Sequence, residues 1–323
     1  MFNMKGFDKK DMRILLELDR DARQSYGIIA KKVGLAKSSV MNRVKKLEEQ
    51  KVITDYITVI DNMRLGYVNY VVYFKYSFTT PEKEKEIIDY LNSHRKVWGL
   101  ISTTGFAELV AVIATKTTQE YYKVWDEIYQ KIKPFVRVIR TAILVEYVNF
   151  TRTYLLPSEN IKRAEIFTGS IGSEKVDYSD NILLKELSKN GKATILELAN
   201  KTNLTSAAVI YRIRNLEKRE IIQGYRAKID FRKLGLEYYK IMVSTKDLTT
   251  KKSLYSWIKS NKNVVYFDGF IGGHDFEFDI EIEGFGEFLK FLGEMKRLFG
   301  ESIEEIFTFT AVNFHKETYY PEE

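Results

Sequence analysis

The sequence predicts an α+β chain made of two copies of one unit, each a three-helix segment followed by a β-α-β-β-α-β segment. Three observations carry this reading. There is a long gapless internal repeat. Helix-period and strand-period apolar patterns alternate in the same order in both halves. Basic charge gathers in the two helical segments. Shifted by 169 residues, 11–66 falls on 180–235 without a gap, and 17 of the 56 pairs are identical, among them Asp11, Leu15, Leu18, Leu35, Val40, Arg43, Leu47, Tyr56 and Gly66. A repeat of this length reads as two whole units rather than a short solenoid. Beyond it the match continues weakly, with Gly105 on Gly273 at a shift of 168 and Val148-Asn149-Phe150 on Val312-Asn313-Phe314 at a shift of 164.

In the first copy, Asp8 is placed to cap a helix carrying Ile14, Leu15 and Leu18 on one stripe. A second short helix follows Ser25 and is expected to bury Ile28, Ile29 and Val33. In the second copy it opens with the capping box Thr194-Ile195-Leu196-Glu197. Gly34 and Asn203 end this helix in the two copies, and both types tolerate the left-handed backbone of a helix C′ position. Leu35 and Leu204 plug the turn. A third helix is expected over about 37–50, with Val40, Val44 and Leu47 inward. The alternating run Val52–Ile60 then reads as a two-stranded wing. Helix, helix, tight turn, helix and β-wing make a winged helix-turn-helix.

The remaining segment of copy one reads as a strand at 68–77, a helix at 82–92, strands at 96–103 and 107–115, a helix at 118–131 and a strand at 135–148. Copy two repeats it at 237–246, 250–260, 263–271, 275–282, 284–298 and 303–314. This order is the split βαβ, or ferredoxin-like, arrangement, with helices on one face of its sheet. Val71, Tyr73, Ile143, Val145 and Tyr147 are expected on the other face, where sheet pairs with sheet, either between the copies or between chains. The four prolines, at 81, 134, 157 and 321, fall between elements. The expected organisation is therefore 1–61 winged helix-turn-helix, 67–154 ferredoxin-like, 155–179 a spacer with a hairpin, 180–230 winged helix-turn-helix and 236–323 ferredoxin-like. Gly169-Ser170-Ile171-Gly172 lacks the Lys-Ser/Thr ending of a phosphate loop and reads as a turn, and Gly284-Phe285-Gly286 lacks the third glycine of a dinucleotide fingerprint.

Composition narrows the function. Hydrophobic residues make up 45% of 323, enough for real cores, and there is no cysteine, so disulfides and thiolate chemistry are excluded. No apolar leader follows Met1 and no apolar run is long enough to span a bilayer, so a cytoplasmic protein without membrane contact is expected. The net charge of +7 is uneven. Residues 1–60 hold 13 Lys/Arg against 8 Asp/Glu, 179–235 hold 12 against 6, and 236–323 hold 10 against 16. Two matching basic segments point to a polyanion, here double-stranded DNA. The third helix would enter the major groove. Its outward residues are Lys37, Ser38, Ser39, Asn42, Arg43, Lys45 and Lys46 in copy one. In copy two they are Ser206, Ala207, Tyr211, Arg212, Arg214 and Lys218, with Asn215 and Arg219 beside them. Arg and Asn can read bases bidentately, whereas Lys and Ser mostly hold phosphates. The plain alternative is a solvated helix face. Arg43 and Arg212 also stand where they could pair with Glu48, Glu217 or another acid nearby.

These residues resemble the Lrp/AsnC (feast/famine) family of transcription regulators. The resemblance rests on Asp11–Leu15, Ile29–Leu35, Val40–Glu48, Ile53–Tyr56 and Arg64-Leu65-Gly66, and again on Leu198–Lys201, Tyr211–Lys218, Ile222–Tyr225 and Lys233-Leu234-Gly235. It covers nearly the whole chain twice, and the tandem form resembles archaeal members. It implies ferredoxin-like domains of the RAM type that assemble, here as an intramolecular pseudo-dimer or a homo-oligomer, and that in some members bind an amino acid. The chain departs from the pattern at Ala36, where a Ser or Thr cap is usual, and at Lys51 and Glu220, where glycine is common. The effector loop is kept in copy two as Gly273-His274-Asp275 but reads Gly105-Phe106-Ala107 in copy one, so an effector is expected, if anywhere, at Gly273, His274 and Asp275; a plain β-turn is the other reading of that loop. No cofactor and no metal are expected. Sirohaem decarboxylases share this architecture, but their His- and Arg-rich strands are not matched, and the only histidines are His94, His274 and His315. The reading is thus a DNA-binding regulator and not an enzyme. The alternatives are a tetrapyrrole enzyme of that kind and a sensor or assembly module that has lost DNA binding.

Overall fold

The computed structural model describes residues 6–170 and 172–322. The first residues of the expected leaderless N-terminus (Met1–Lys5) and Ile171 of the expected spacer turn lie outside the described residues.

Copy one contains α1 (Lys9–Arg20), α2 (Tyr26–Val33), α3 (Lys37–Glu49), β1 (Ile53–Ile60), β2 (Val68–Tyr76), α4 (Pro81–Ser93), β3 (Val97–Gly105), β4 (Leu109–Thr115), α5 (Thr118–Ile132) and β5 (Val136–Phe150). The connection holds β6 (Glu165–Thr168). Copy two contains α6 (Tyr178–Lys189), α7 (Ile195–Thr202), α8 (Ser206–Lys218), β7 (Ile222–Ile229), β8 (Glu237–Thr245), α9 (Leu248–Ser260), β9 (Val264–Ile271), β10 (Phe276–Ile282), α10 (Gly284–Phe299) and β11 (Ile303–Glu317). Local chemistry sets the helix ends. Asp8 and Asp11 form a capping box, as do Thr194 and Glu197. Gly34 at φ 65° and Asn203 at φ 55° close α2 and α7 in the left-handed region.

The two ferredoxin-like sheets do not stack as separate layers. They join edge to edge, all antiparallel, in the order β2-β4-β3-β11-β8-β10-β9-β5, and β5 pairs again with β2, so eight strands close into a barrel. The long strands β5 and β11 make the closure. Each pairs by its first half with its own copy, on β2 or β8, and by its second half with the other copy, on β9 or β3. Closure removes the open edges on which a sheet would otherwise recruit another chain. Helices α4 and α5 cover copy one's outer face through Ile87, Leu91, Val124 and Ile128. Helices α9 and α10 cover copy two's through Leu254, Ile258, Phe288 and Phe291.

Several expectations change here. Val52–Ile60 is not a two-stranded wing. It is one strand, β1, paired antiparallel with β7 of the other copy, so a single inter-copy ribbon replaces two hairpins. Each three-helix head then completes its core with the other copy's strand. Ala227 and Ile229 pack among Ile14, Leu18, Val40 and Leu47 of the first head, and Ile57 and Val59 among Leu183, Leu187, Val209 and Leu216 of the second. Two matching hydrogen bonds hold this exchange, Ala22 N to Tyr225 O at 2.9 Å and Gly191 N to Tyr56 O at 2.7 Å.

The Val-Asn-Phe match is not the structural one. Ile143 lies opposite Tyr70 and Thr310 opposite Tyr239, so the strands superpose at a shift of 167 rather than 164. Ile28 is 49% exposed, because an arc of Ile28, Ile29 and Val33 is wider than the face α2 buries. Ile143 and Val145 do not face the interior as expected. Ala142 and Leu144 are the inward residues, and Ile143 lies opposite Tyr70 on the helix-covered side. An irregularity between Leu144 and Glu146 leaves Val145 36% exposed and returns Tyr147 inward. The spacer forms no hairpin of its own. It contributes β6 alone, laid on the end of β5.

Candidate nucleic-acid interface

The third helix of each head is anchored by its apolar stripe, Val40, Val44 and Leu47 in α3 and Val209, Ile213 and Leu216 in α8, all buried. That anchoring turns the opposite face to solvent. Lys37, Ser38, Asn42, Lys45 and Lys46 are exposed on α3, with Ser39 half-buried. Ser206, Ala207, Tyr211, Arg214 and Lys218 are exposed on α8, and Tyr211 is 72% exposed. Met41 and Ile210 are exposed apolar residues on the same two faces, which the sequence reading did not single out. They occupy one repeat position, so comparing the copies would have found them.

The two arginines behave differently. Arg43 donates to Asp8 at 2.9 Å and to Asp11 at 2.6 Å, and Arg212 donates to Asp177 at 2.7 Å and to Asp180 at 2.8 Å. Each guanidinium therefore ties the third helix to the N-terminal cap of the first, and neither points free to a base. The acids suggested as partners are engaged elsewhere, Glu48 by Tyr56 and Glu217 by Tyr225. Lys45 reaches Glu49 only loosely, at 3.7 Å with both ends exposed, a contact worth little in water. Helix α8 is capped by Thr205, whereas α3 begins at Ala36 with no side-chain cap. Lys51 at φ 58° and Glu220 at φ 55° hold the left-handed conformation that explains a preference for glycine there.

The heads are joined firmly. Arg23 Nη1 donates to Gly191 O at 2.9 Å and Ala193 O at 3.0 Å across the pseudo-dyad. The first head is also locked to the barrel by a buried ionic network. Asp19 accepts from Arg152 N at 2.8 Å, Arg152 Nη1 at 2.7 Å and Arg226 Nη2 at 2.5 Å, while Arg152 also pairs with Glu281 at 2.9 Å. Burial works against the charged Asp19, but Arg226 and Arg152 prevail and hold its carboxyl below the usual range. The repeat equivalents of Asp19 and Arg226 are Ser188 and Ile57, so only the first head is held this way. Under the ribbon lies a cavity of about 250 Å³ lined by Asp55, Arg226, Lys228, Arg232 and Glu317 among others.

The expected effector loop faces inward. Gly273 has φ 92°, and a Cβ there would meet Arg140 Cδ at 2.6 Å. His274 is buried beside Tyr73 and Phe270, and burial, with Arg140 and Lys240 nearby, pushes it down to about 3. Asp275 accepts from Thr245 N at 2.7 Å and Thr245 Oγ1 at 2.8 Å, so one carboxylate oxygen is spent on the turn. The Gly169-Ser170 amides donate to Asp61 Oδ2 at 3.1 and 3.2 Å, which fills with a carboxylate the place a phosphate would take. Among the described residues, no group of three or more His, Asp or Glu is arranged to hold a metal, and no helix is long and apolar enough to cross a membrane.

Two helix-turn-helix heads on one eight-stranded α+β barrel define a duplicated helix-turn-helix protein. An AsnC-type helix-turn-helix domain model matches residues 7–48 and a winged helix-turn-helix DNA-binding model matches 176–223. The chain is 32% identical over 137 residues to the HTH-type transcriptional regulator LrpA of Pyrococcus horikoshii, covering 42% of this chain and 96% of that protein. It is 31% identical over 131 residues to the HTH-type transcriptional regulator Ptr1 of Methanocaldococcus jannaschii, covering 41% and 85%. A match of 52% over 60 residues to an uncharacterized HTH-type regulator of Pyrococcus furiosus spans 39% of that protein's length. The chain belongs to the Lrp/AsnC family of helix-turn-helix transcriptional regulators. Among solved structures, the sirohaem decarboxylase NirDL matches 98% of this chain and 94% of its own at a TM-score of 0.61 with 14% identity, a likeness of fold.

Proposed function

We propose that the chain is a double-stranded DNA-binding transcription regulator that reads an asymmetric site with its two unlike heads. The observation that carries this is the pair of exposed, basic third helices, α3 and α8, fixed to one ribbon in a single chain. Lys37, Lys45, Lys46, Arg214 and Lys218 contact phosphates. Asn42 and Tyr211, at the same repeat position, supply different base contacts, and Ser38, Ser39, Ser206 and Ala207 line the groove at the helix N-termini. Arg43 and Arg212 orient the helices through their aspartates. An amino-acid effector at Gly273, His274 and Asp275 would have to open the loop that Thr245 now closes.

Fluorescence anisotropy on random and genomic duplexes at two salt concentrations tests this, followed by selection of sites from random DNA. Steeply salt-dependent binding with preference for non-palindromic sites is expected. Lys45→Gln with Lys46→Gln should lower the salt slope by about 2, roughly 0.9 per lost phosphate contact, and Arg43→Ala should leave it nearly unchanged. Absence of binding at low salt would overturn the proposal and favour the sensor or tetrapyrrole readings.

A further inference from the structure

The barrel interior is chemically lopsided. In copy one, inward positions form the cross-strand pairs Val71–Val112 and Ile101–Val110. At the equivalent ladder positions copy two carries Lys240–Asp279 and Asp268–Glu277. Four aliphatic side chains on one wall thus face four ionisable ones on the other. The aliphatic set shows that the fold is satisfied by apolar residues here. Burying four charges instead is costly and is often no better for stability than a well-packed apolar set.

The charges do not satisfy one another. Lys240 Nζ is held by Asp279 at 2.7 and 2.8 Å, and Asp279 also accepts from Tyr238 at 2.5 Å. Asp268 and Glu277 stand 3.9 Å from the same ammonium, beyond hydrogen-bond reach. Glu277 Oε1 accepts from Tyr73, but Glu277 Oε2 and Asp268 Oδ1 accept no hydrogen bond, although Glu277 is 1% and Asp268 7% exposed. Arg140 and Glu146 add smaller, opposing charges from outside the cluster, and neutral His274 adds none. Three carboxylates therefore share one ammonium, and burial first, then their mutual repulsion, raises Asp268.

These oxygens belong to residues lining a cavity of about 70 Å³ whose other wall is Val71, Ile101, Val110 and Val112. At roughly 10–15 Å³ for each water-sized group, it holds about five to seven. We propose that this cavity binds a small primary organic amine, its ammonium received by Asp268 and Glu277 and its alkyl chain laid on the copy-one wall. The ligand is a simple amine rather than an α-amino acid, because a carboxylate would meet three others and find Lys240 already engaged. It is organic rather than a metal ion, because these oxygens are not arranged as metal ligands. Tyr238, Tyr266, Phe314 and Glu317 line both this cavity and the one beneath the ribbon, so the two adjoin.

Titration calorimetry on the full chain with n-butylamine, n-butanol and L-norvaline tests the proposal without reference to DNA. The three share a four-carbon chain and differ in charge and carboxylate. Butylammonium is expected to bind saturably and at least about tenfold more tightly than the other two, the scale of a charge-assisted hydrogen bond. Glu277→Gln with Asp268→Asn should weaken it by about tenfold or more. Installing the copy-one set, Lys240→Val, Asp268→Ile, Glu277→Val and Asp279→Val, should abolish it and spare butanol. If that variant does not fold, Glu277→Gln alone decides. No saturable butylammonium binding to the folded wild type, equal binding of butanol or norvaline, or an unchanged Glu277→Gln affinity would overturn the proposal.

Discussion

Replacing Asp19 by Asn tests how the first head is held. The cluster of Asp19, Glu281, Arg152 and Arg226 is neutral as built, and every member is nearly inaccessible. Asp19→Asn leaves a net buried positive charge and turns an amide NH₂ toward donors that had been facing a carboxylate. Removing one partner from a buried ion pair costs about 3–5 kcal/mol. At roughly 2.1 cal/mol/K per residue, unfolding the chain as one unit carries about 0.7 kcal/mol/K, so the melting point should fall by about 4–7 °C. The sign of the pH dependence follows from the depressed carboxyl. The stabilisation is complete above the unfolded-state value, about 3.9, and is lost as pH falls through the lower folded-state value, and Asp19→Asn should remove that acid limb. Calorimetry gives the magnitude and hydrogen exchange the location. Protection should drop in α1 and hold in α6, whose equivalent residue is Ser188. Asp19→Ser with Arg226→Ile, which copies the other head, should cost less than the sum of its parts. A loss below about 1 kcal/mol, or equal loss of protection in α1 and α6, would refute the reasoning.

Further outcomes follow from the same packing. Burial pushes Lys192 down to about 8, where it lies 3.8 Å over Tyr56, so the native state binds this proton more weakly than the unfolded chain. Stability should therefore rise with pH between about 8 and 10.5, and Lys192→Met should flatten that rise in urea titrations across this range. A Cβ at Gly191 would sit 2.8 Å from Ile57 C, so Gly191→Ala should cost about 1–3 kcal/mol by calorimetry and loosen the ribbon. Lys51→Gly should gain up to about 1 kcal/mol by relieving a left-handed non-glycine residue, read from the denaturation midpoint.

Much of this was legible in the residues. The repeat, the capped helices, the left-handed stops at Gly34 and Asn203 and the order of strands in both copies are local properties, set by side-chain period and backbone preference. The exposed faces of the third helices were legible for the same reason, because the stripe that buries Val40, Val44 and Leu47 exposes Lys45 and Lys46 on the other side. That Arg43 could pair with an acid was legible, but which acids it meets was not. Asp8 and Asp11 are over thirty positions away, and only the packing of α3 on α1 brings them within reach.

What the sequence determined by itself was the set of elements and the family. What only the tertiary structure decided was which edges meet. An alternating strand shows which of its faces is apolar but not which strand it will join. Hence β1 was read as a hairpin when its partner is β7, and the two sheets as stacked layers when β5 and β11 cross between copies and close a barrel. That closure encloses Lys240, Asp268, Glu277 and Asp279, which an alternating pattern alone would leave as ordinary charges on a strand. Bringing both walls together makes them the unlike half of one interior.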